Sequence, residues 1–383
     1  MAGSLYLDHA ATTPVAPRVL DAMLPYFTAH YGNSSSIHRA GQRARKAIDY
    51  ARLQLANTID VMPRQVVFTS GATEALNHIV HSVLSSKPGG LITAATEHAV
   101  VTSLAKQWEQ RTPVHVLAPE ASGAISLTAL REALEAQAET GGTALVVLMQ
   151  VNNETGVITD TAAAAELAHE FGAYIAVDAV QALGLEPVAF TKSDYDFMAL
   201  SAHKVYGPKG VGALVMRNDI GLTPYLVGGQ QERGFRAGTV NVPAIVGFGE
   251  AAERAHDRRV SERARLQAVQ EHFEQAITQI AGVHINAANA PRSVKHSSVG
   301  VQGVDGETML LMLDQAGLHI SAGSACAAGS LEPSHVLLAM GVPHEQAKAT
   351  FRFSFGDQTT MAVIDEAVTR FAAVVAEHRA LLG

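Results

Sequence analysis

Short apolar runs alternate with longer stretches of helical periodicity between about residues 60 and 215. The runs are rich in Val, Ile and Leu, and each is bounded by polar residues or glycine. The strands predicted from them are 65–70, 90–94, 144–149, 173–177, 197–200 and 212–216. Strands that are apolar along nearly their whole length are buried on both faces, as in parallel sheets covered by helices. The pattern therefore predicts an α/β fold built on a largely parallel sheet.

The pattern changes between Glu250 and Ile280, where a long, charged, amphipathic segment predicts a single helix. We expect this helix to lead into a second, smaller domain. The elements predicted there are a strand at 298–301, a helix at 307–314, a strand at 350–355 and a terminal helix at 361–381. No internal repeat is evident.

Composition narrows the range of partners. The chain has 383 residues and a formal net charge of -8, without a long basic run. This argues against nucleic acid or an anionic membrane surface as the main partner. No segment resembles a signal peptide or a membrane span, and one cysteine cannot form an intrachain disulfide. We therefore expect a cytoplasmic protein.

That cysteine, Cys326, lies within residues 321–330, where every other residue is Ser, Ala or Gly. A structural thiol normally packs among bulky apolar neighbours, whereas small residues allow the backbone to rearrange and to enter a pocket closely. The segment is either a tightly packed turn or a carrier that presents a reactive thiol. These residues alone leave both interpretations open.

Lys204 ends an apolar strand, just before a turn that contains Gly207 and Pro208. A buried amine is costly unless it is paired or covalently engaged, and a covalent bond to an aldehyde cofactor would remove that cost. The alternative is a lysine whose side chain extends from the strand end to solvent. Both interpretations remain open for this segment taken alone.

Asp178 follows the strand predicted at 173–177. Ligands in open α/β sheets lie beyond the carboxyl ends of the strands, so Asp178 and Lys204 are expected at the same edge. A pyridinium nitrogen needs a carboxylate partner to remain protonated. An aspartate after a strand is more commonly a helix cap, which is the alternative here.

A third candidate is Gly71-Ala72-Thr73, which joins a predicted strand to an apolar-periodic helix. The N–H groups at such a helix start, together with the Thr73 hydroxyl, can hold a phosphate. The motif is weak alone because it lacks the ending of a P-loop. Together, a phosphate cradle, an acid for a ring nitrogen and a strand-end lysine point to pyridoxal phosphate.

Further motifs occur in order along nearly the whole chain. They are Tyr6–Pro14, Tyr31–Ser34, Thr69–Glu74, Thr96–His98, Val151–Gly156, Val177–Gln181, Ser201–Gly210, Glu232–Thr239, Ser321–Cys326 and Arg352–Ser354. In these motifs the chain resembles the cysteine desulfurases of the class V aminotransferase fold, the IscS/NifS-like family.

The resemblance implies a PLP-dependent transferase of fold type I. We expect a large domain at 14–257 with a mainly parallel seven-stranded sheet. A smaller α+β domain would comprise 1–13 and 258–383. The implied reaction converts L-cysteine to L-alanine and leaves a persulfide on Cys326. The implied partners are a second copy in a homodimer and sulfur acceptors, such as an iron–sulfur scaffold or the tRNA thiolation pathway.

The resemblance also implies a role for each matching residue. Cys326, Lys204 and His98 would be catalytic, with Lys204 bonded to the cofactor and His98 stacked on its ring. Asp178 would meet the pyridine nitrogen and Gln181 the ring oxygen. The phosphate would bind at Thr73, Ser201 and His203, with Thr239 from the other subunit, and Ala72 would also contact the cofactor. Asn153, Arg352 and Asn33 would bind the substrate, and Asn153 would also contact the cofactor.

Three positions depart from the family pattern. His9 stands where many relatives have Asn or Tyr, and Ala237 and Ala322 replace the more usual serines. None of these changes removes a group on which the chemistry depends. Hydrogen bonds near the phosphate and the cysteine segment are the features they could alter.

Other functions are weaker fits. A selenocysteine lyase or another class V aminotransferase would share the fold, although transamination has no use for the Cys326 thiol. A non-catalytic sulfur acceptor would not need Lys204, Asp178 and His98. No metal site is predicted, because His169 and His344 each lack the second histidine of a zinc-peptidase helix.

Overall fold

The structure is a computed structural model that describes residues 3–87, 89–322 and 332–382. Its strands are β1 (Leu5–Tyr6), β2 (Val66–Thr69), β3 (Leu91–Ala94), β4 (Val114–Leu117), β5 (Leu145–Met149), β6 (Tyr174–Asp178), β7 (Phe197–Ser201), β8 (Gly212–Met216), β9 (Val283–Ile285), β10 (His296–Val301), β11 (Leu318–His319), β12 (Ser321–Ala322) and β13 (Thr350–Ser354).

Its α-helices are α1 (Pro17–Met23), α2 (Pro25–Thr28), α3 (Arg39–Thr58), α4 (Ala72–Ser86), α5 (Ala99–Trp108), α6 (Leu127–Thr140), α7 (Thr161–Glu170), α8 (Val242–Ile277), α9 (Gly306–Gln315), α10 (His335–Ala339), α11 (His344–Lys348) and α12 (Met361–Leu382). Among the described residues, no helix is both long and apolar enough to cross a bilayer.

The main sheet has seven strands in the order β2-β8-β7-β6-β5-β3-β4. Strand β8 pairs antiparallel with both of its neighbours, and the other pairs are parallel. The six predicted strands are confirmed to within one residue at each end. The mainly parallel seven-stranded sheet is therefore confirmed as well.

The sequence pattern missed β4 because this strand lies at the sheet edge. Its first three residues are partly or fully exposed, and His115 interrupts the apolar run. Such a strand lacks the continuous apolar character that marked the buried strands. The other strands alternate their side chains between two cores, with Val146 and Val177 on one face and Val147 and Ala176 on the other.

Helix α8 connects the main sheet to a second core. It begins earlier than the predicted charged segment, because Pro243 lies in its first turn and the side chain of Asn241 accepts a hydrogen bond from the Ala244 N–H. Its first half packs against α1 and α3. Its second half contributes Leu266 and Phe273 to the second core.

The second core covers a four-stranded antiparallel sheet of order β12-β13-β10-β9. Phe273 packs against Phe353 and Phe355, with ring centroids 4.7 and 5.2 Å apart. Leu7 belongs to the same core, and β1 pairs with β11 in a separate parallel pair. The domain boundaries proposed for 14–257 and for 1–13 with 258–383 stay a prediction.

The fold brings two strand ends together. In the main sheet, Asp178 of β6 is in register with Ala199 of β7. Strand β7 ends at Ser201, and the next residues form a 3₁₀ turn, Ala202–Lys204. Because β6 and β7 are parallel neighbours, Asp178 and Lys204 lie at the same edge of the sheet.

Candidate active site

A cavity of about 670 Å³ opens at this edge. Its volume is within the usual range for small-molecule sites. It brings together most of the predicted site residues, namely Ala72, Thr73, His98, Asn153, Asp178, Gln181, Ser201, His203, Lys204 and Arg352.

The lysine is held by the N-terminal segment. Lys204 Nζ donates hydrogen bonds to the carbonyl oxygens of Ala10 and Ala11, each at 2.7 Å. Thr13 fixes this segment in turn, because its N–H and its hydroxyl both donate to the carbonyl of His203, at 2.9 and 2.8 Å. The main-chain carbonyls that hold Lys204 therefore belong to residues for which the sequence predicted no role.

Asp178 is a buried carboxylate that faces positive charge. Its Oδ1 accepts a hydrogen bond from the Val180 N–H at 3.0 Å. Burial raises the pKa of Asp178, while that hydrogen bond and the charges of His98 and Lys204 act in the opposite direction. A carboxylate in this environment is stabilised by a nearby cation, such as a protonated ring nitrogen.

Burial favours the neutral form of two histidines of the site. The ring Nδ1 of His98 accepts a hydrogen bond from the Val100 N–H at 3.2 Å, and burial lowers its pKa. Nδ1 of His203 lies 3.2 Å from the Thr12 hydroxyl. Burial and nearby lysines, Lys204 first, lower the pKa of His203 to about 4.

The start of α4 is open toward the cavity. A Cβ placed on Gly71 would meet no atom within 4 Å, while one on Gly212 would lie 2.6 Å from the Gly71 Cα. Glycine at 212 therefore lets β8 approach the turn closely. Glu74, in the first turn of α4, is paired with Arg236 at 2.9 Å, so its charge is compensated. An anion is favoured beside the free N–H groups there.

Arg352 is a buried cation with capacity for another acceptor. Its Nη1 donates to the Asn153 carbonyl at 2.9 Å and its Nη2 to Asp8 Oδ1 at 2.8 Å. Its Nε and the Oδ1 of Asn153 are buried without a hydrogen-bond partner among the described residues. A guanidinium in this state can bind a carboxylate through charge-assisted hydrogen bonds.

The structure adds a cluster that the sequence analysis missed. Glu154 and His335 also line the cavity. The Ser334 hydroxyl donates to Glu154, and burial raises the pKa of that carboxyl group. His335 Nε2 lies 2.9 Å from the Glu97 carbonyl, so this nitrogen carries the proton. Glu154 lies inside one of the matched motifs, and that was the only signal for it.

Two predicted residues that the structure describes do not line the cavity. Asn33 is exposed, and its side chain accepts a hydrogen bond from the Ser35 N–H at 2.9 Å. Thr239 is exposed. Cys326 lies outside the described residues. The described residues that flank its segment are at the site, since Ser321 pairs with Arg352 and His335 lines the cavity.

The residues present fit pyridoxal phosphate. Gln181 Nε2 donates one hydrogen to the Ala10 carbonyl at 2.9 Å and keeps a second for a ring oxygen, and its Oε1 is buried without a partner among the described residues. Asp178 offers a carboxylate for a ring nitrogen, and the start of α4 offers N–H groups for a phosphate. Lys204 supplies the amine.

Comparisons with known proteins identify the same family over nearly the whole chain. The pattern of the class V aminotransferase family matches residues 5–366. A cysteine desulfurase of Gluconacetobacter diazotrophicus is 39% identical over 382 residues, covering 98% of this chain and 94% of that protein. Cysteine desulfurase 2 of Trichormus variabilis is 40% identical over 381 residues, with the same coverage.

Solved structures give the same result. A NifS-like protein aligns with a TM-score of 0.90 at 29% identity, covering 98% of this chain and all of that one. A structure described as SspA in complex with cysteine aligns with a TM-score of 0.80 at 32% identity, covering 92% of this chain and 99% of that one.

Proposed function

We propose that this chain, a member of the class V aminotransferase family and a PLP-dependent cysteine desulfurase, carries out its reaction through Lys204, Asp178, His98 and Arg352, with Cys326 as the sulfur carrier. The observation that supports this assignment is that the first four side chains line one cavity. The relative crystallised with cysteine supports L-cysteine as the substrate.

Arg352 and Asn153 bind the substrate carboxylate. The buried Nε of Arg352 has no partner among the described residues, and the ion pair of Arg352 with Asp8 at 2.8 Å keeps the guanidinium in place. A carboxylate that accepts from this group is fixed in direction as well as position. This orientation presents the Cα–H bond of the substrate to the Lys204 amine.

Lys204 removes the Cα proton of the substrate and later returns a proton to the same carbon. The carbonyls of Ala10 and Ala11 direct its amine, and Nζ is the atom that takes the proton from Cα. When bound, pyridoxal phosphate supplies the electron sink for this step. Asp178 would hold the proton of the ring nitrogen, and His98 would lie against the ring face. Thr73, Ser201 and His203 would hold the phosphate with the start of α4.

Cys326 receives the sulfur. Its thiolate forms a bond to the substrate sulfur while the carbon–sulfur bond of the substrate breaks. The electron pair of the broken bond remains with the side-chain carbon, which takes up a proton, and Lys204 returns a proton to Cα to give L-alanine. Cys326 retains the sulfur as a persulfide. The thiolate is the reactive form, and nearby positive charge favours it. Lys204 and Arg352 supply such charge at the cavity.

The active form is a homodimer in which Thr239 completes the phosphate site of the other subunit. Three large apolar side chains, Tyr31, Ile37 and Val227, are 79%, 90% and 84% exposed. Exposed apolar surface of this kind is typical of an interface. Thr239 is itself exposed, so a partner could reach it. An Ile37→Asp variant should shift the chain toward monomer in size-exclusion chromatography with light scattering.

The persulfide passes to an acceptor protein in the cytoplasm, with an iron–sulfur scaffold as the first candidate. The similarity to a NifS-like structure supports such an acceptor. The single cysteine of the chain excludes an intrachain disulfide, which suits a reducing compartment.

The proposed reaction can be tested by mixing the purified protein with L-cysteine and measuring L-alanine and sulfide in the presence of a thiol reductant. Both products should form in equal amounts. A Cys326→Ser variant should keep the bound cofactor and lose both products. Alanine production by this variant at the normal rate would contradict the role of Cys326, and pyruvate in place of alanine would indicate a different lyase.

A further inference from the structure

A second lysine lies directly behind the proposed catalytic one. Lys295, one residue before β10, is only 5% exposed. Its Nζ donates a hydrogen bond to the main-chain carbonyl of Lys204 at 3.1 Å. Among the described residues, no Asp or Glu lies within ion-pair distance of Lys295. Burying an amine without a carboxylate costs stability, so this position is poorly explained by a structural role.

Lys295 approaches Lys204 from the side of the second core. Both lysines line a second, smaller cavity, which also contains Tyr206 and Asp357. Lys204 in addition lines the main cavity, whereas the described lining of that cavity does not include Lys295. Lys295 therefore contacts the main chain of Lys204 from outside the described lining of the main cavity.

Charge around Lys295 opposes its protonation. Burial, followed by the charges of Lys204 and Arg352, lowers the pKa of Lys295 to about 7, and Asp8 acts in the opposite direction. The other charged or titratable groups that face it or share its cavity are His9, His203, His296, Tyr206, Arg254, Arg258, Glu262 and Asp357.

The neighbouring histidines do not titrate in the same range. The pKa values of His9 and His203 are lowered to about 4, mainly by burial, and that of His296 is lowered well below its usual value. The ordinary pKa of a tyrosine already lies above the neutral range, and burial raises that of Tyr206 further. A change of charge near pH 7 in this part of the molecule is therefore expected at Lys295.

We propose that Lys295 is a positioning residue for Lys204, holding its main chain through the carbonyl hydrogen bond and, on gaining a proton, placing positive charge beside the Lys204 side chain. A second positive charge disfavours a proton on Lys204 and so favours the state in which its amine can accept one. The proposal rests on the role of Lys204 in the proposed function.

The first test follows the absorbance of the bound cofactor in the holoenzyme between about pH 6 and pH 9. The natural protein should show an ionisation with a midpoint near the pKa of Lys295, about 7. In Lys295→Met this midpoint should vanish or move by more than about one pH unit. The exposed Lys192→Met serves as a control and should behave like the natural protein. An unchanged midpoint in Lys295→Met would overturn the proposal.

The second test separates this role from a structural one. The folded chain releases the Lys295 proton near pH 7, whereas the unfolded chain keeps it up to about 10.5. Since the unfolded state then binds more protons, stability rises with pH across this window. Lys295→Met should lose this rise and melt at a higher temperature than the natural protein at pH 7. A lower melting temperature would show that Lys295 is a structural residue, against the proposal.

These readouts are independent of turnover. If the natural protein formed no alanine, the proposed function would fail, while the absorbance midpoint and the melting temperatures would still decide the role of Lys295. If Lys295→Met does not retain the cofactor, the pH dependence of its melting temperature decides alone. A pH dependence equal to that of Lys192→Met would then overturn the proposal.

Discussion

Two buried polar regions of this molecule differ in how completely their groups are satisfied. At one, Arg52 makes two parallel hydrogen bonds to the Glu232 carboxylate, both at 2.7 Å, and the Phe68 N–H donates to the same carboxylate at 2.8 Å. At the other, the cavity beside Lys204, atoms of Asn153, Gln181 and Arg352 are buried without partners among the described residues.

The difference indicates that one region has a structural role and that the other binds a ligand. A buried ion pair with its hydrogen bonds complete holds elements in place, here α3 and the segment that contains Glu232. Buried donors and acceptors without partners lower stability unless a ligand supplies the missing interactions. The cavity therefore has the properties of a site that is completed by its cofactor and substrate, whereas the Arg52 cluster has those of a scaffold.

The largest effect is expected at the lysine. Replacing Lys204 by Ala should lower the rate of alanine formation by about 10⁴-fold, close to 5 kcal/mol, because the group that takes the Cα proton is lost. The cofactor should also be held more weakly. Stopped-flow assay of alanine formation would measure the loss, and the exposed Lys192→Ala is the matched control. Turnover within tenfold of normal would remove Lys204 from the mechanism.

At the cluster of Arg52 and Glu232, a substitution should lower stability and leave activity nearly unchanged. Arg52→Met leaves the Glu232 carboxylate buried without its cation, which should lower the free energy of unfolding by about 4 kcal/mol. The activity per folded molecule should stay within about threefold, since distant sites rarely couple. Urea unfolding and an active-site titration would measure both quantities. A selective loss of kcat with normal stability would break the distinction between the two regions.

The effect expected at His9 is smaller than the one expected at Arg52. Both ring nitrogens of His9 are buried without partners among the described residues. Its pKa in the folded protein is lowered to about 4, mainly by burial. The unfolded chain thus binds this proton at a higher pH than the folded chain, and stability is lost as the pH falls from about 6.5 toward 4.

Over the same pH range, the free energy of unfolding should fall by less in a His9→Asn variant than in the natural protein. The difference between the two losses should be about 3 kcal/mol. Denaturant unfolding at several pH values would measure this difference, with the exposed His256→Asn as a control. Equal acid sensitivity in the His9 and His256 variants would show that His9 does not titrate as described.

The smallest of these effects is expected at the substrate carboxylate. Arg352→Lys keeps the positive charge and loses the bidentate geometry, so kcat/KM for L-cysteine should fall about 30-fold, near 2 kcal/mol. Most of the loss should be in KM. Steady-state kinetics would test this, and an unchanged KM with a reduced kcat would place Arg352 elsewhere in the mechanism.

The sequence predicted those parts of the site that depend on regular structure. Asp178 and Lys204 could be assigned to one edge because parallel strands end together. The roles of Arg352 and His98 came from the resemblance to a family, since an arginine on a strand and a histidine before a helix have many ordinary uses. Strand β4 was missed because an edge strand is only partly apolar.

Long-range contacts explain most of what could not be predicted. The carbonyls of Ala10 and Ala11 reach Lys204 across nearly two hundred residues, and their residue type carries no signal for a main-chain interaction. Lys295 is similar, because nothing in its local sequence distinguishes a buried lysine from an exposed one. Such groups are identified only when the tertiary structure shows their burial and their partners.

The transfer of sulfur from L-cysteine to Cys326 by the groups of this cavity can be observed on the protein itself. Its most direct test is mass spectrometry of the protein after brief exposure to L-cysteine without a reductant, followed by digestion. The peptide containing Cys326 should gain the mass of one sulfur atom, and Lys204→Ala should prevent this gain. Alanine formation with an unmodified Cys326 peptide would contradict this transfer.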